Sequence, residues 1–309
     1  MRLFANIDVE RAAVVRTMLA RLSPGLDVLL PGDGFDPDSI DYLFTWALPS
    51  DIATGWPGLK VIFSLGAGAD QFTASQIPTG VAVVRMIDDG LTAMMQEYVT
   101  MSVLALHRDL PGYLDQQRKQ VFDRISNKPS AAQRRVGVMG LGELGCGALR
   151  ALAPFGFALS GWARGKHVID GVRTFYGADG LRPFLAQCDI LICLLPLTPA
   201  TAGILDRGLF ATLPQGAALI HVGRGQQLDH AALTEALDSG QLRAAILDVT
   251  EPEPLPQGHL FWSDPRILLT PHIACVTRIE SCMPALANNI RSHQSGRPMR
   301  GVVEPERGY

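Results

Sequence analysis

Short apolar runs alternate with stretches of helical periodicity along most of the chain. The runs fall at residues 61–65, 81–84, 135–139, 157–160, 190–194, 218–221 and 244–248, with a shorter one at 267–269. Strands that are apolar throughout are covered on both faces, and separating them by helices makes the sheet parallel. The pattern predicts an α/β fold. Residues 91–107 are apolar on nearly every side, as in a buried helix packed between domains or subunits. After Pro111-Gly112 the chain turns polar up to Arg134, and from about Thr277 a last helix leads into a Gly/Pro-rich tail.

One strand–helix junction carries chemistry. Residues 136–145 read VGVMGLGELG, a strand followed by G-x-G-x-x-G at Gly140, Gly142 and Gly145. The first glycine permits a tight turn. The second lets backbone approach a pyrophosphate, and the third lets the helix pack on the strand. The helix start then offers free N–H groups and positive partial charge to the phosphates. A unit that prefers NADH ends its second strand in Asp or Glu, which binds the ribose 2′-hydroxyl. Ala163 stands there in this chain, followed by Arg164 and Lys166. Without the carboxylate a 2′-phosphate is not repelled, and the two cations can bind it. NADPH is therefore the expected cofactor, with NADH a weaker alternative.

Three later segments each place a polar residue just after an apolar run. They are Arg224 in 219–225, Glu253 in 247–256 and His272 in 268–274. Ligands of an open parallel sheet bind beyond the carboxyl ends of its strands, so these three can converge there. Glu251 competes with Glu253, separated from it only by Pro252.

Composition narrows the picture further. The 309 residues suffice for two domains, and 47% hydrophobic with 18% charged residues describes a chain able to build large cores. A net charge of −3 with scattered Lys and Arg argues against a nucleic-acid partner. Five cysteines lack zinc or redox-motif spacing, so no metal is expected and they read as small buried hydrophobes in a reducing compartment. No signal-peptide pattern opens the chain. Its most membrane-like stretch, 91–106, is broken by Gln96 and Glu97, so no membrane association and a cytoplasmic location are expected.

The chain resembles the D-isomer-specific 2-hydroxyacid dehydrogenase family, and within it the glyoxylate/hydroxypyruvate reductase A branch. The resemblance rests on Leu65-Gly66-Ala67-Gly68-Ala69-Asp70, Gln96-Glu97-Tyr98, the glycine fingerprint and Leu194-Leu195-Pro196-Leu197-Thr198. It continues through Gly223-Arg224-Gly225, Glu253-Pro254-Leu255, Thr270-Pro271-His272-Ile273-Ala274 and the closing Arg307-Gly308-Tyr309. It implies two Rossmann- or flavodoxin-like domains with parallel sheets and an active site in the cleft between them. The substrate domain would be discontinuous, residues 1–98 plus 277–309, with 99–276 binding the dinucleotide. The activity implied is reduction of a small 2-oxo acid, glyoxylate or hydroxypyruvate. His272 would be the general acid, Glu253 its orienting partner and Arg224 the group that binds the substrate carboxylate. Trp46 and the backbone at Ala67 and Gly68 would also meet substrate. Leu144 and Gly145 would contact the pyrophosphate, Pro196 and Thr198 the adenosine ribose and phosphate, and Asp248 the nicotinamide carboxamide. A homodimer is implied as well, with the 91–107 helix and the polar arm after it as the contact. Departures from the branch are His221, where Asn is more usual, Gly223 for Ala, and the loop after Arg164. Two other readings are a dehydrogenase for a different 2-hydroxy acid and a corepressor-like dinucleotide sensor with little turnover.

Overall fold

The computed structural model describes residues 1–126 and 128–303, so the Arg307-Gly308-Tyr309 motif lies outside the described residues. Among these the chain runs through β1 (Arg2–Asn6), α1 (Val9–Leu22), β2 (Asp27–Leu29), β3 (Tyr42–Thr45), α2 (Ile52–Gly55), β4 (Val61–Ser64), β5 (Ala82–Val84), α3 (Asp89–Arg108) and α4 (Leu110–Arg118). It continues through β6 (Arg135–Met139), α5 (Glu143–Leu152), β7 (Ala158–Ala163), β8 (Arg173–Tyr176), α6 (Gly177–Leu185), β9 (Ile190–Cys193) and α7 (Arg207–Thr212). The last elements are β10 (Ala217–His221), α8 (His230–Asp238), β11 (Leu242–Leu247), β12 (Ile267–Leu269) and α9 (Ile279–Gln294).

Two compact units result: Met1–Leu91 with the chain from Cys275 on, and Thr92–Ala274. The divisions fall at 91/92 and 274/275, against the 98/99 and 276/277 read from sequence. The first unit holds a parallel sheet of order β2-β1-β3-β4-β5, the flavodoxin-like arrangement. Its strands alternate between two cores. Leu3, Ala5, Tyr42, Phe44, Val61 and Phe63 face one side with α1 and α9 residues such as Leu19, Met283 and Leu286. Phe4, Leu43 and Ile62 face the other with Ile52, Trp56 and Phe72. Burial on both faces is why β4 reads as a continuous apolar run, whereas β1, β2 and β3 are not among the runs read from the sequence.

The second unit holds a parallel sheet of order β12-β11-β10-β9-β6-β7-β8. This is the Rossmann order extended by one strand, with the reversal of direction between β6 and β9. Phe184, Phe210, Leu219, Leu233, Leu247 and Phe261 fill one of its cores. Truncating one such side chain to Ala would cost about 2–5 kcal/mol. Asp189 accepts from both the backbone and the guanidinium of Arg135, fixing the start of β6 against the approach to β9.

Helix α3 is less uniformly buried than its composition suggests. In the second unit Met95, Tyr98, Val99, Ser102, Val103 and Leu106 are buried, while Ala93, Glu97 and Met101 are exposed. It is one buried stripe with a solvent row opposite. Among the described residues no helix is long and apolar enough to cross a membrane. The cysteines are free thiols; burial pushes Cys188, Cys193 and Cys282 up to about 12, which leaves them inert.

Candidate functional site

The carboxyl edge of the second sheet gathers most of the residues singled out from sequence. Along the strand order, β12 precedes His272, β11 precedes Asp248 and Glu253, β10 precedes Arg224, and β9 precedes Pro196 and Thr198. Then β6 runs into Gly140, Gly142, Leu144 and Gly145, and β7 into Arg164 and Lys166. From β12 to β7 is about 24 Å, five steps of roughly 4.8 Å. The acid–base candidates occupy one end of this row and the glycine turn the other.

The three fingerprint glycines answer three separate demands. Gly140 has φ +104°, and a Cβ there would lie 2.6 Å from the Leu194 carbonyl oxygen. A Cβ on Gly145 would lie 1.9 Å from the carbonyl oxygen of Gly140, so α5 can leave the turn only with glycine at that position. At Gly142 a Cβ would meet nothing within 4 Å, so here the free side is open space, at the N-cap of α5. The first helical bond runs from Cys146 N–H to the Gly142 carbonyl, and the amides before it have no partner within the helix. An open turn with glycine at the helix N-cap fits a pyrophosphate. Leu144 stands in that turn, half-buried. On one flank the exposed Arg164 and Lys166 leave β7, whose Trp162 carbonyl accepts from Gly140 N–H at 2.8 Å. On the other flank Thr201 Oγ donates to the Pro196 carbonyl at 2.6 Å and accepts from the Thr198 amide at 2.8 Å, shaping that loop from within.

At the other end His272 Nδ1 meets Glu253 Oε1 at 2.7 Å, with both side chains partly exposed. A carboxylate only accepts, so Nδ1 carries a proton and Nε2 is the nitrogen left to exchange one. Of the two competing carboxylates it is Glu253, not Glu251, that makes this bond. The backbone of His272 is left-handed, φ +55°, a conformation that side-chain-bearing residues rarely adopt. Asp248 maintains it. Its carboxylate, 2% exposed, accepts from Thr270 Oγ1 at 2.6 Å, Ile273 N–H at 2.9 Å and Ala274 N–H at 2.8 Å. Its carbonyl accepts from His272 N–H at 2.9 Å. Asp248, assigned above to a carboxamide, thus has both carboxylate oxygens engaged in the turn that presents His272.

Arg224 is held by contacts that sequence reading did not single out. Gln227, fully buried, accepts from Arg224 N–H at 2.8 Å and donates to the carbonyls of Leu195 and Pro196. A Cβ on Gly223 would lie 2.2 Å from Gln227 Oε1, which accounts for Gly in place of Ala there. A Cβ on Gly225 would lie 2.0 Å from the Thr250 carbonyl oxygen, so the Arg224 turn and the segment leading to Glu253 touch backbone to backbone. His221 is fully buried beneath this turn, with Nε2 2.8 Å from the Arg224 carbonyl. A carbonyl cannot donate, so Nε2 bears the proton, and burial lowers the pKa to about 4. His230 and His259 pack with Phe261, at centroid distances of 4.7 and 4.5 Å.

In the first unit Trp46 is 53% exposed, and its Cζ3 would lie 2.8 Å from a Cβ on Gly66. The following loop, with Ala67 and Gly68, is organised by the buried Ser64. Its hydroxyl donates to the Gly68 carbonyl at 2.8 Å and accepts from Gly66 N–H at 3.2 Å. Single polar residues such as Ser64 and Gln227 leave no periodic trace; only the short motifs around them point to them.

A family model described as D-isomer specific 2-hydroxyacid dehydrogenase, NAD binding domain, matches residues 100–274. Glyoxylate/hydroxypyruvate reductase A of Yersinia enterocolitica is 39% identical over 281 residues, 89% of each chain. The same-named protein of Serratia proteamaculans is 39% identical, again over 89% of each. Among solved structures, a D-isomer specific 2-hydroxyacid dehydrogenase from Xanthobacter autotrophicus Py2 in complex with NADPH and MES superposes with a TM-score of 0.94. It is 38% identical and covers 100% of this chain and 99% of its own. An NADPH-dependent glyoxylate/hydroxypyruvate reductase from Sinorhizobium meliloti in complex with NADP and sulfate gives 0.90 at 37% identity, covering 100% and 99%.

Proposed function

Since the chain belongs to the D-isomer-specific 2-hydroxyacid dehydrogenase family, we propose that it reduces glyoxylate or hydroxypyruvate with NADPH, and that His272 is the general acid. The observation that carries the reading is the 2.7 Å contact between His272 and Glu253 at the strand edge that also bears Arg224 and the open Gly142 turn. Bound NADPH supplies the hydride; the chain's residues supply everything else. His272 gives its Nε2 proton to the carbonyl oxygen as that oxygen gains charge. Glu253 keeps the ring in the required tautomer. Arg224 binds the substrate carboxylate with its fork of donors and draws charge from the carbonyl. Trp46 and the amides of Ala67 and Gly68 are assigned to the substrate, and Arg164 and Lys166 to the 2′-phosphate.

Following cofactor absorbance with glyoxylate, hydroxypyruvate and larger 2-oxo acids, using NADPH and NADH, tests this reading. Turnover is expected with the two small acids, with a preference for NADPH that Arg164→Ala reduces. His272→Ala should lose about 10²–10⁴-fold in kcat while still binding NADPH. Unimpaired turnover in that variant would remove the acid assignment. Tight NADPH binding without turnover on any acid would favour the sensor reading.

We assign the homodimer to the exposed apolar side chains Met101, Leu110, Val121 and Phe122, on α3, on α4 and in the segment after it. Sedimentation at micromolar concentration should show a dimer; a monomer there would end this assignment.

A further inference from the structure

We propose that Tyr98 is a positioning residue, whose phenolic hydroxyl holds the His272 turn in its reactive geometry through Thr270 and Asp248. This rests on the assignment of His272 as the acid. Tyr98 Oη lies 2.5 Å from Thr270 Oγ1, and Thr270 Oγ1 lies 2.6 Å from Asp248 Oδ1.

The proton directions follow from the groups. The Asp248 carboxylate already accepts the amides of Ile273 and Ala274 and can only accept from Thr270. The single Thr270 proton is thus committed to Asp248, and Tyr98 must donate to the Thr270 oxygen. Tyr98 is 6% exposed, and burial pushes its phenol up to about 12, so the donor proton persists throughout the neutral range.

The relay has a rigid base. Tyr98 stands in the turn of α3 where Gln96 Nε2 donates to the Gly147 carbonyl at 3.2 Å. A Cβ on Gly147 would come within 2.8 Å of Thr92 Cγ2, so α3 lies directly on α5. The helix whose N-terminus faces the phosphate site and the turn that presents His272 therefore share one brace, α3. Gln96 and Tyr98, noted from sequence but given no task, acquire one. Without the Tyr98 donor, the Thr270 oxygen keeps its bond to Asp248 but loses the hydroxyl that donates to it, and the left-handed His272 backbone has one restraint fewer.

Tyr98→Phe removes one oxygen and keeps the ring. With glyoxylate and NADPH, its kcat is expected to fall about tenfold, the scale of a sub-ångström misplacement of an acid, with KM for both reactants changing less than about twofold. Thr270→Val should reproduce the loss, and Thr270→Ser, which keeps the hydroxyl, should recover most of it. The Tyr98→Phe/Thr270→Val double variant should be no slower than the slower single variant, because both cut one relay.

A kcat for Tyr98→Phe within threefold of the parent, a loss expressed in KM alone, or multiplicative losses in the double variant would each overturn the proposal. If Tyr98→Phe fails to fold, the contrast between Thr270→Val and Thr270→Ser decides alone: equal rates overturn it. His272→Ala measured alongside keeps the two claims apart. If it retains turnover, the functional reading falls. If it is inactive while Tyr98→Phe is unimpaired, only the relay falls.

Discussion

His272 occupies backbone territory that favours glycine, yet glycine would carry no imidazole. Holding a side-chain-bearing residue at φ +55° costs about 1–3 kcal/mol, and Asp248 offsets this with one carbonyl and two carboxylate oxygens. A second histidine is placed with the opposite purpose. His221 lies fully buried under the Arg224 turn as a neutral Nε2–H donor, with its pKa lowered by burial to about 4. A histidine depressed in the folded state stabilises the fold fully above its unfolded pKa of roughly 6.5 and loses that contribution as pH falls towards 4. In that window the unfolded chain binds the extra proton, so acid favours unfolding. Between pH 7 and pH 5 this one group should remove about 2 kcal/mol of stability. Burial lowers His230 as well, so the measurement must be differential. Urea midpoints of the parent and His221→Asn at both pH values should show a shallower acid loss in the variant. Equal slopes would mean that His221 contributes nothing to the acid response.

At the scale of elements, what sequence revealed was the apolar runs, mostly of strands inside their sheets but including the edge strands β5 and β12. Strands β4, β6, β9, β10 and β11 lie inside their sheets and are apolar on both faces, so their runs stand out. Strands β2 and β8 are edges, one only three residues long and the other with no buried residue, and neither has a pattern to read. Strand β1 is five residues long and its neighbour β3 four, and their apolar character sorts into two cores only once the sheet exists. The site divides in the same way. The glycine turn and the three polar residues after strands were legible because each follows an apolar run, short in the case of β12 before His272. The residues that secure them were not: Gln227 bonds a carbonyl 32 positions away, and Tyr98 a hydroxyl 172 positions away. Such pairs exist only when the sheet order sets their elements side by side. Glycine shows the converse. Gly225 looks like part of a motif, but the reason for it is the Thr250 carbonyl, which no local reading supplies.

Across the whole molecule, two units with separate cores carry unequal shares of the chemistry. The turn, the flanking cations and the His272–Glu253 pair all belong to 92–274, while Trp46, Ala67 and Gly68 belong to the first unit. A ligand stabilises what it binds by mass action, about 2.7 kcal/mol at a hundredfold excess over its Kd. If NADPH binds along the carboxyl edge of the second sheet, its effect on local opening should concentrate there. Hydrogen exchange with saturating NADPH and no substrate should slow amides from β6 through the start of α5, at the end of β7 and in the 222–225 turn. Amides of β1, β2 and α1, packed around a core to which the second unit contributes none of the buried side chains, should change little. Exchange reports opening segment by segment, so it separates local protection from a general rise in stability. Uniform slowing across both units would show the dinucleotide acting on the fold as a whole. Slowing confined to the first unit would place the binding site on the wrong sheet.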